Sequence, residues 1–121
     1  MATKLWVLVT LVPALLGVAA VSRAQEQQYV VIYIEAQPQQ TNRAKQLVDD
    51  LASRSLKSAG VVNFTTLQQI DRPSFFTLVE RWNSADAYQA YKASSTWQDF
   101  LGRITPLLAA PLDERPGVLL E

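Results

Sequence analysis

The chain has 121 residues, enough for one domain, is about half hydrophobic, and balances eleven Lys and Arg against eleven Asp and Glu. It contains no Cys and no His, which excludes disulfides, thiol nucleophiles, zinc-finger spacings and a Ser-His triad together. No basic stripe breaks the neutral balance, which argues against a nucleic-acid partner.

Met1 to Ala24 has the three parts of a secretory signal peptide. Lys4 and the α-amine form a positive start, Leu5 to Val21 is an almost unbroken apolar run, and Ser22-Arg23-Ala24 places small residues on both sides of Arg23. A retained anchor is the competing reading, but the run is at the short end for crossing a bilayer. Pro13, Gly17 and the small-x-small site favour cleavage after Ala24. Gln25 follows rather than Cys, so no lipoprotein anchor is expected. The expected product is periplasmic or secreted, without stable membrane insertion once the leader is removed. Loss of Lys4 and Arg23 leaves nine cations against eleven anions. A short polar segment at 25–28 precedes a domain at 29–121.

Tyr29 to Glu35 is β-branched and aromatic and too short for a helix, so it reads as a strand. From Thr41 to Ser58, Ala44, Leu47, Val48, Leu51, Ala52 and Leu56 form an apolar stripe at helical spacing. Gly60 closes that helix with a residue suited to the left-handed conformation. Val61 to Ile70 is a second strand, Asp71-Arg72-Pro73-Ser74 a turn, and Phe75 to Trp82 a third strand that forms a hairpin with the second. Asn83 or Ser84 caps a further helix, with Asp86 in its first turn, running to about Ala93. Ser94-Ser95-Thr96 breaks or restarts the helix, and Trp97, Phe100, Leu101 and Ile104 continue the apolar face. After Pro106 and Pro111, Gly117 to Leu120 reads as a short final strand at a sheet edge.

The order β-α-β-β-α-β is the ferredoxin-like arrangement of an α+β domain, with the first and third strands in the centre of the sheet. Both helices then cover one face. The first strand is apolar on both sides, with Val30, Ile32 and Ile34 on one and Tyr29, Val31 and Tyr33 on the other. The third strand divides Phe75 and Val79 from Phe76, Leu78 and Trp82. A sheet apolar on both faces needs a second cover, so a face-to-face homodimer is expected.

Three stretches carry a resemblance to a known family: YVVIYIEAQP with the amphipathic helix behind it, the Gly60-anchored hairpin ending in Glu80-Arg81-Trp82, and WNSADAYQAYKASSTWQDF. Together they resemble the antibiotic biosynthesis monooxygenase (ABM) family from about Tyr29 to Leu120. The resemblance implies a dimeric α+β barrel with a pocket between each sheet and its helices. Characterised relatives include quinol and phenol monooxygenases that use no cofactor, heme-degrading enzymes, and proteins without an assigned activity. Many relatives have a histidine in the helix after the strand-end tryptophan; here Tyr91 or a neighbour takes that place. The heme-degrading branch uses an Asn, a Trp and a His. This chain has no His and no Asn in its first strand, which argues against heme degradation.

A deprotonated quinol or phenol is electron-rich enough to reduce oxygen unaided, so such a protein need supply only a dry pocket, orientation and a proton acceptor. The implied partners are a small aromatic molecule and molecular oxygen, with no cofactor. Candidate catalytic residues are Glu80, Asn63 and Tyr91, and candidate substrate-binding residues are Tyr88, Trp82 and Trp97. Glu80 lies in an otherwise apolar strand, where burial raises a carboxyl pKa; it reads as a general base or as a strand-end ion pair. Asn63 reads as a donor to a substrate oxygen or as an exposed strand position. Tyr88 and Tyr91 share a helical face, and with Trp82 and Trp97 they line an aromatic pocket or simply fill the core. The competing functions are a non-catalytic small-molecule-binding or stress-related dimer on the same scaffold and, last, an interaction module.

Overall fold

A computed structural model describes Thr3 and residues 26–121; the proposed leader and its cleavage site lie outside the described residues. Strand β1 (Gln28–Glu35) leads through a short 3-10 turn at Pro38–Gln40 into helix α1 (Thr41–Ser55). Strands β2 (Val61–Gln68) and β3 (Phe75–Trp82) follow, then helices α2 (Ala85–Ala93) and α3 (Ser95–Ile104) and strand β4 (Asp113–Gly117). All pairings are antiparallel and the strand order is β2-β3-β1-β4. The two most apolar strands are therefore central, as the ferredoxin-like reading requires.

Alternation decides what each strand buries. In β1, Val30, Ile32 and Ile34 are at most 1% exposed, and in β3 the buried set is Phe76, Leu78, Glu80 and Trp82. The helices answer with Ala44, Leu47, Val48 and Leu51 from α1, Tyr88 and Tyr91 from α2, and Trp97, Phe100 and Ile104 from α3. Each fully buried Val, Leu, Ile or Phe among them contributes about 1.5–3 kcal/mol by leaving water.

Local chemistry fixes the joints. Gly60 takes a positive φ of 80°, and a Cβ there would fall 2.5 Å from the Ala87 Cβ, so glycine is required both by the turn and by the approach of α2. The Ser84 hydroxyl caps α2 by accepting from the Ala87 amide at 3.1 Å. The Ser94 hydroxyl donates to the Tyr91 carbonyl at 2.6 Å and accepts from the Trp97 amide at 3.5 Å. One residue thus ends α2 and starts α3, which is why the serine pair divides the helical region.

Several boundaries differ from the sequence reading. Helix α1 stops at Ser55, and Leu56, counted in its stripe, is 56% exposed. Strand β2 stops at Gln68, leaving Ile70 almost wholly in solvent. The last strand is Asp113–Gly117 instead of Gly117–Leu120. Its register on β1, from Tyr29 opposite Gly117 to Tyr33 opposite Asp113, is made by backbone hydrogen bonds along a fully exposed edge. An edge strand needs no apolar pattern and tolerates Pro116, so hydropathy misplaced it.

The far face of the sheet carries Tyr29, Val31, Phe75 and Val79, all half-buried, and the exposed Tyr33 and Leu67. Arginines stack over its rings: Arg72 lies 4.5 Å from the Phe75 centroid, Arg115 5.0 Å from Tyr33 and Arg81 5.9 Å from Tyr29. Among the described residues no helix is long and apolar enough to cross a membrane.

A buried carboxyl in an aromatic cage

Glu80 and Trp82 lie two apart on β3, so both side chains point toward the helices. Glu80 is 1% exposed, and across the sheet its register neighbours are Val30 on β1 and Phe64 on β2. The Trp82 indole N–H donates to Glu80 Oε1 at 2.9 Å. Glu80 Oε2 has no hydrogen-bond partner among the described residues. Burial is the dominant influence on this carboxyl and raises its pKa to about 7. The indole bond and the Lys92 charge oppose that rise, while the Glu114 charge adds to it. At neutrality Glu80 is poised to gain or lose a proton.

Three aromatic side chains close around it, Trp82, Tyr88 and Tyr91, with Trp97 packed behind Tyr91, and none is more than 3% exposed. The Trp82 and Tyr91 centroids are 4.5 Å apart, Trp82 and Tyr88 6.0 Å, and Tyr91 and Trp97 5.9 Å. Tyr88 and Tyr91, one turn apart on α2, stack at 6.5 Å with their planes 29° apart.

The phenols are held on opposite sides. Tyr91 shares a 2.8 Å hydrogen bond with the buried Ser55 hydroxyl of α1. Tyr88 donates to Glu114 Oε2 at 2.8 Å, and the Lys92 ammonium meets the same carboxylate oxygen. Burial pushes both phenol pKa values well above their usual range, and the Glu114 contact adds to the rise at Tyr88. Both phenols therefore stay protonated at neutral pH and act as hydrogen-bond donors or packing surfaces, not as bases.

The structure brings together Glu80, Trp82, Tyr88, Tyr91 and Trp97. It does not bring Asn63 to them. A register shift between Val61 and Asn63 changes the phase of β2: Val61 pairs with the inward Trp82, but Asn63 pairs with the outward Arg81 and is exposed. Asn63 is thus on the far face of the sheet, separated from the carboxyl by the sheet itself. Three residues join the site that the sequence reading did not single out. Ser55 continues the row Ala44, Val48, Leu51 on the inner face of α1 and was legible from that spacing. Lys92 stands one turn beyond Tyr88. Glu114 comes from the strand that hydropathy misplaced, and no sequence signal pointed to it.

The wall formed by Tyr91 also borders an open cleft of about 470 Å³ between the end of α1 and the junction of α2 with α3. That is within the usual range of small-molecule sites.

A four-stranded antiparallel sheet with helices on one face and a buried acid between the layers defines a ferredoxin-like α+β protein. A model of the antibiotic biosynthesis monooxygenase family matches residues 28–103, and the chain belongs to that family. Solved structures share the fold. A candidate antibiotic biosynthesis monooxygenase from Nitrosomonas europaea is 19% identical with a TM-score of 0.74, over 79% of this chain and 92% of that one. Another, from Caulobacter crescentus, is 16% identical with a TM-score of 0.74, over 82% and 94%. A Mycobacterium tuberculosis protein is 17% identical with a TM-score of 0.75, over 79% and 97%. At these identities the likeness is one of fold. No curated protein matches the chain.

Proposed function

We propose that the mature chain is an exported, cofactor-independent monooxygenase that oxidises a quinol or phenolic small molecule with molecular oxygen, acting as a homodimer. Family membership supports the monooxygenase class. The observation that carries the reading is Glu80: a carboxyl held by the Trp82 indole through one oxygen, with the other unpartnered, and with a pKa of about 7 inside an aromatic cage. In its ionised form it accepts the substrate hydroxyl proton through Oε2. The resulting oxyanion donates an electron to oxygen, and the radical pair collapses to a carbon–oxygen bond. Cleavage of the O–O bond leaves one atom on carbon as a carbonyl. The other leaves as water, with the two hydrogens that the substrate loses. Trp82, Tyr88 and Tyr91 exclude water from the carboxyl.

Support for the dimer comes from the far face of the sheet, where Tyr33 is 44% and Leu67 54% exposed beside half-buried Val31, Phe75 and Val79. A second copy is the partner whose matching face covers this one. Size-exclusion with light scattering is expected to give twice the mature mass; a monomer at micromolar concentration removes this part of the reading. The leader-like sequence 1–24 supports export, and a mature N-terminus at Gln25 in the secreted or periplasmic fraction is the expected result.

Oxygen uptake with a panel of hydroquinones and anthrone-like phenols tests the activity. Turnover is expected in the wild type and loss of about 100-fold or more in Glu80→Gln, the usual size of a general-base contribution. Turnover no faster than buffer across the panel counts against it. One observation favours the second reading, a non-catalytic small-molecule-binding or stress-related dimer. The rings around Glu80 are packed against one another, so a ligand must displace Tyr91 to reach the carboxyl. Ligand-dependent thermal stabilisation without product is the result that reading predicts.

A further inference from the structure

The charge on the 470 Å³ cleft differs from that of the rest of the chain. The expected mature protein carries more acids than bases, yet the cleft is lined by two cations, Arg54 and Lys57, and by no carboxylate. Ser58, Ser94 and Thr96 add hydroxyls, and the almost wholly buried Tyr91 borders the cleft. The remaining lining residues, Ala59 and Ala90, contribute one methyl each, which leaves the space open. Arg54 is held by Asp99 at 3.1 Å and Asp50 at 3.6 Å, both on its Nη1, so its charge is largely compensated. Lys57 is exposed and in no ion pair among the described residues, which makes it the cleft's free cation. Both cations also complement the C-terminal end of α1. That role accounts for positive residues in the last turn, but not for a cleft of ligand size beside them.

We infer that this cleft binds the anionic substituent of an aromatic ligand, with Lys57 selecting hydroxyaromatic acids over their neutral counterparts. A carboxylate ortho or meta to a ring hydroxyl meets Lys57 in the cleft, and its ring reaches the Glu80 cage by displacing Tyr91, which is packed 4.5 Å from Trp82. That the bound acid is a substrate, and not only a ligand, rests on the reading of Glu80 as the reacting base.

The test compares 2,5-dihydroxybenzoate with hydroquinone, which differ by one carboxylate, by calorimetric titration of the mature protein at low salt. The acid is expected to bind about tenfold more tightly or better, the effect of one charge-assisted hydrogen bond. In Lys57→Gln, an exposed position, that preference is expected to fall to within about twofold, and added salt is expected to reduce it in the wild type. Arg54→Gln is expected to act in the same direction, and Glu80→Gln is expected to keep the preference. Equal affinity for the two compounds, or an undiminished preference in Lys57→Gln, overturns the inference. Oxygen uptake with the two compounds separates it from the proposed activity. Preferential binding of the acid without oxygen uptake leaves the cleft assignment standing and defeats the reading of Glu80. Equal kcat/KM for the two compounds does the reverse.

Discussion

Glu80 and Arg81 are adjacent in β3 and meet opposite environments. On the helix side, a carboxyl is shut among aromatic rings with one oxygen unpartnered, and its proton affinity is set by the absence of water. On the far side, Arg81 and its fellow arginines lie over tyrosine and phenylalanine rings at a half-open surface. The contrast shows that sequence character alone does not assign a chemical role. A one-residue alternation turns a charge into a poised acid on one face and into a stacking group on the other. The inner face carries large, specific energies, and the outer face carries small ones.

The largest expected effect is at the base of the cage. Trp82→Ala removes a fully buried indole and its bond to Glu80 Oε1, and is expected to cost about 3–5 kcal/mol in chemical denaturation. A loss under about 1 kcal/mol places the tryptophan at a loosely packed edge and breaks the contrast.

Next is the pH dependence of stability. Because the folded pKa of Glu80 is raised from 4.5 to about 7, the folded state holds this proton more tightly than the unfolded chain does. Its contribution is therefore fully present below about pH 4.5 and is lost as pH rises through about 7. The loss is on the order of 3 kcal/mol from the size of the shift. Glu80→Gln lacks this dependence, so its stability relative to wild type is expected to rise by that order between pH 4 and pH 8. Parallel pH profiles for the two proteins would show a solvated carboxyl.

Tyr91→Phe leaves the buried Ser55 hydroxyl without its phenol partner and is expected to cost about 1–3 kcal/mol. Ser55→Ala in the same background is expected to recover part of that loss, since it removes the orphaned group. The smallest effect is on the outer face. Arg72→Gln loses an exposed cation–π contact with Phe75 and is expected to cost no more than about 1 kcal/mol in thermal unfolding. A loss as large as that of Trp82→Ala would erase the difference between the faces.

Where burial and periodicity agree, the sequence was readable. The bounds of β3, the central placement of β1 and β3, and the inward direction of Trp82, Tyr91 and Trp97 all follow from apolar residues at strand or helix spacing. The misses have a common cause: they depend on backbone pairing that leaves no hydropathy signal. The β2 register shift turned Asn63 outward although it lies two residues from the inward Val61. The exposed edge strand β4 brought Glu114 to Tyr88 and Lys92 with no apolar residue to announce it. Ser55 is different, because its place on the inner row of α1 was available from spacing alone. A small polar residue in a buried row marks a hydrogen bond waiting for a partner, and Tyr91 supplies it.

The Glu80 carboxyl can be followed directly by 13C NMR of the side-chain carbon across pH, with Glu80→Gln assigning the resonance. A midpoint near 7 in the folded protein is the expected result. A midpoint near the ordinary glutamate value of 4.5 would mean a water-exposed carboxylate and only a weak proton acceptor at neutral pH.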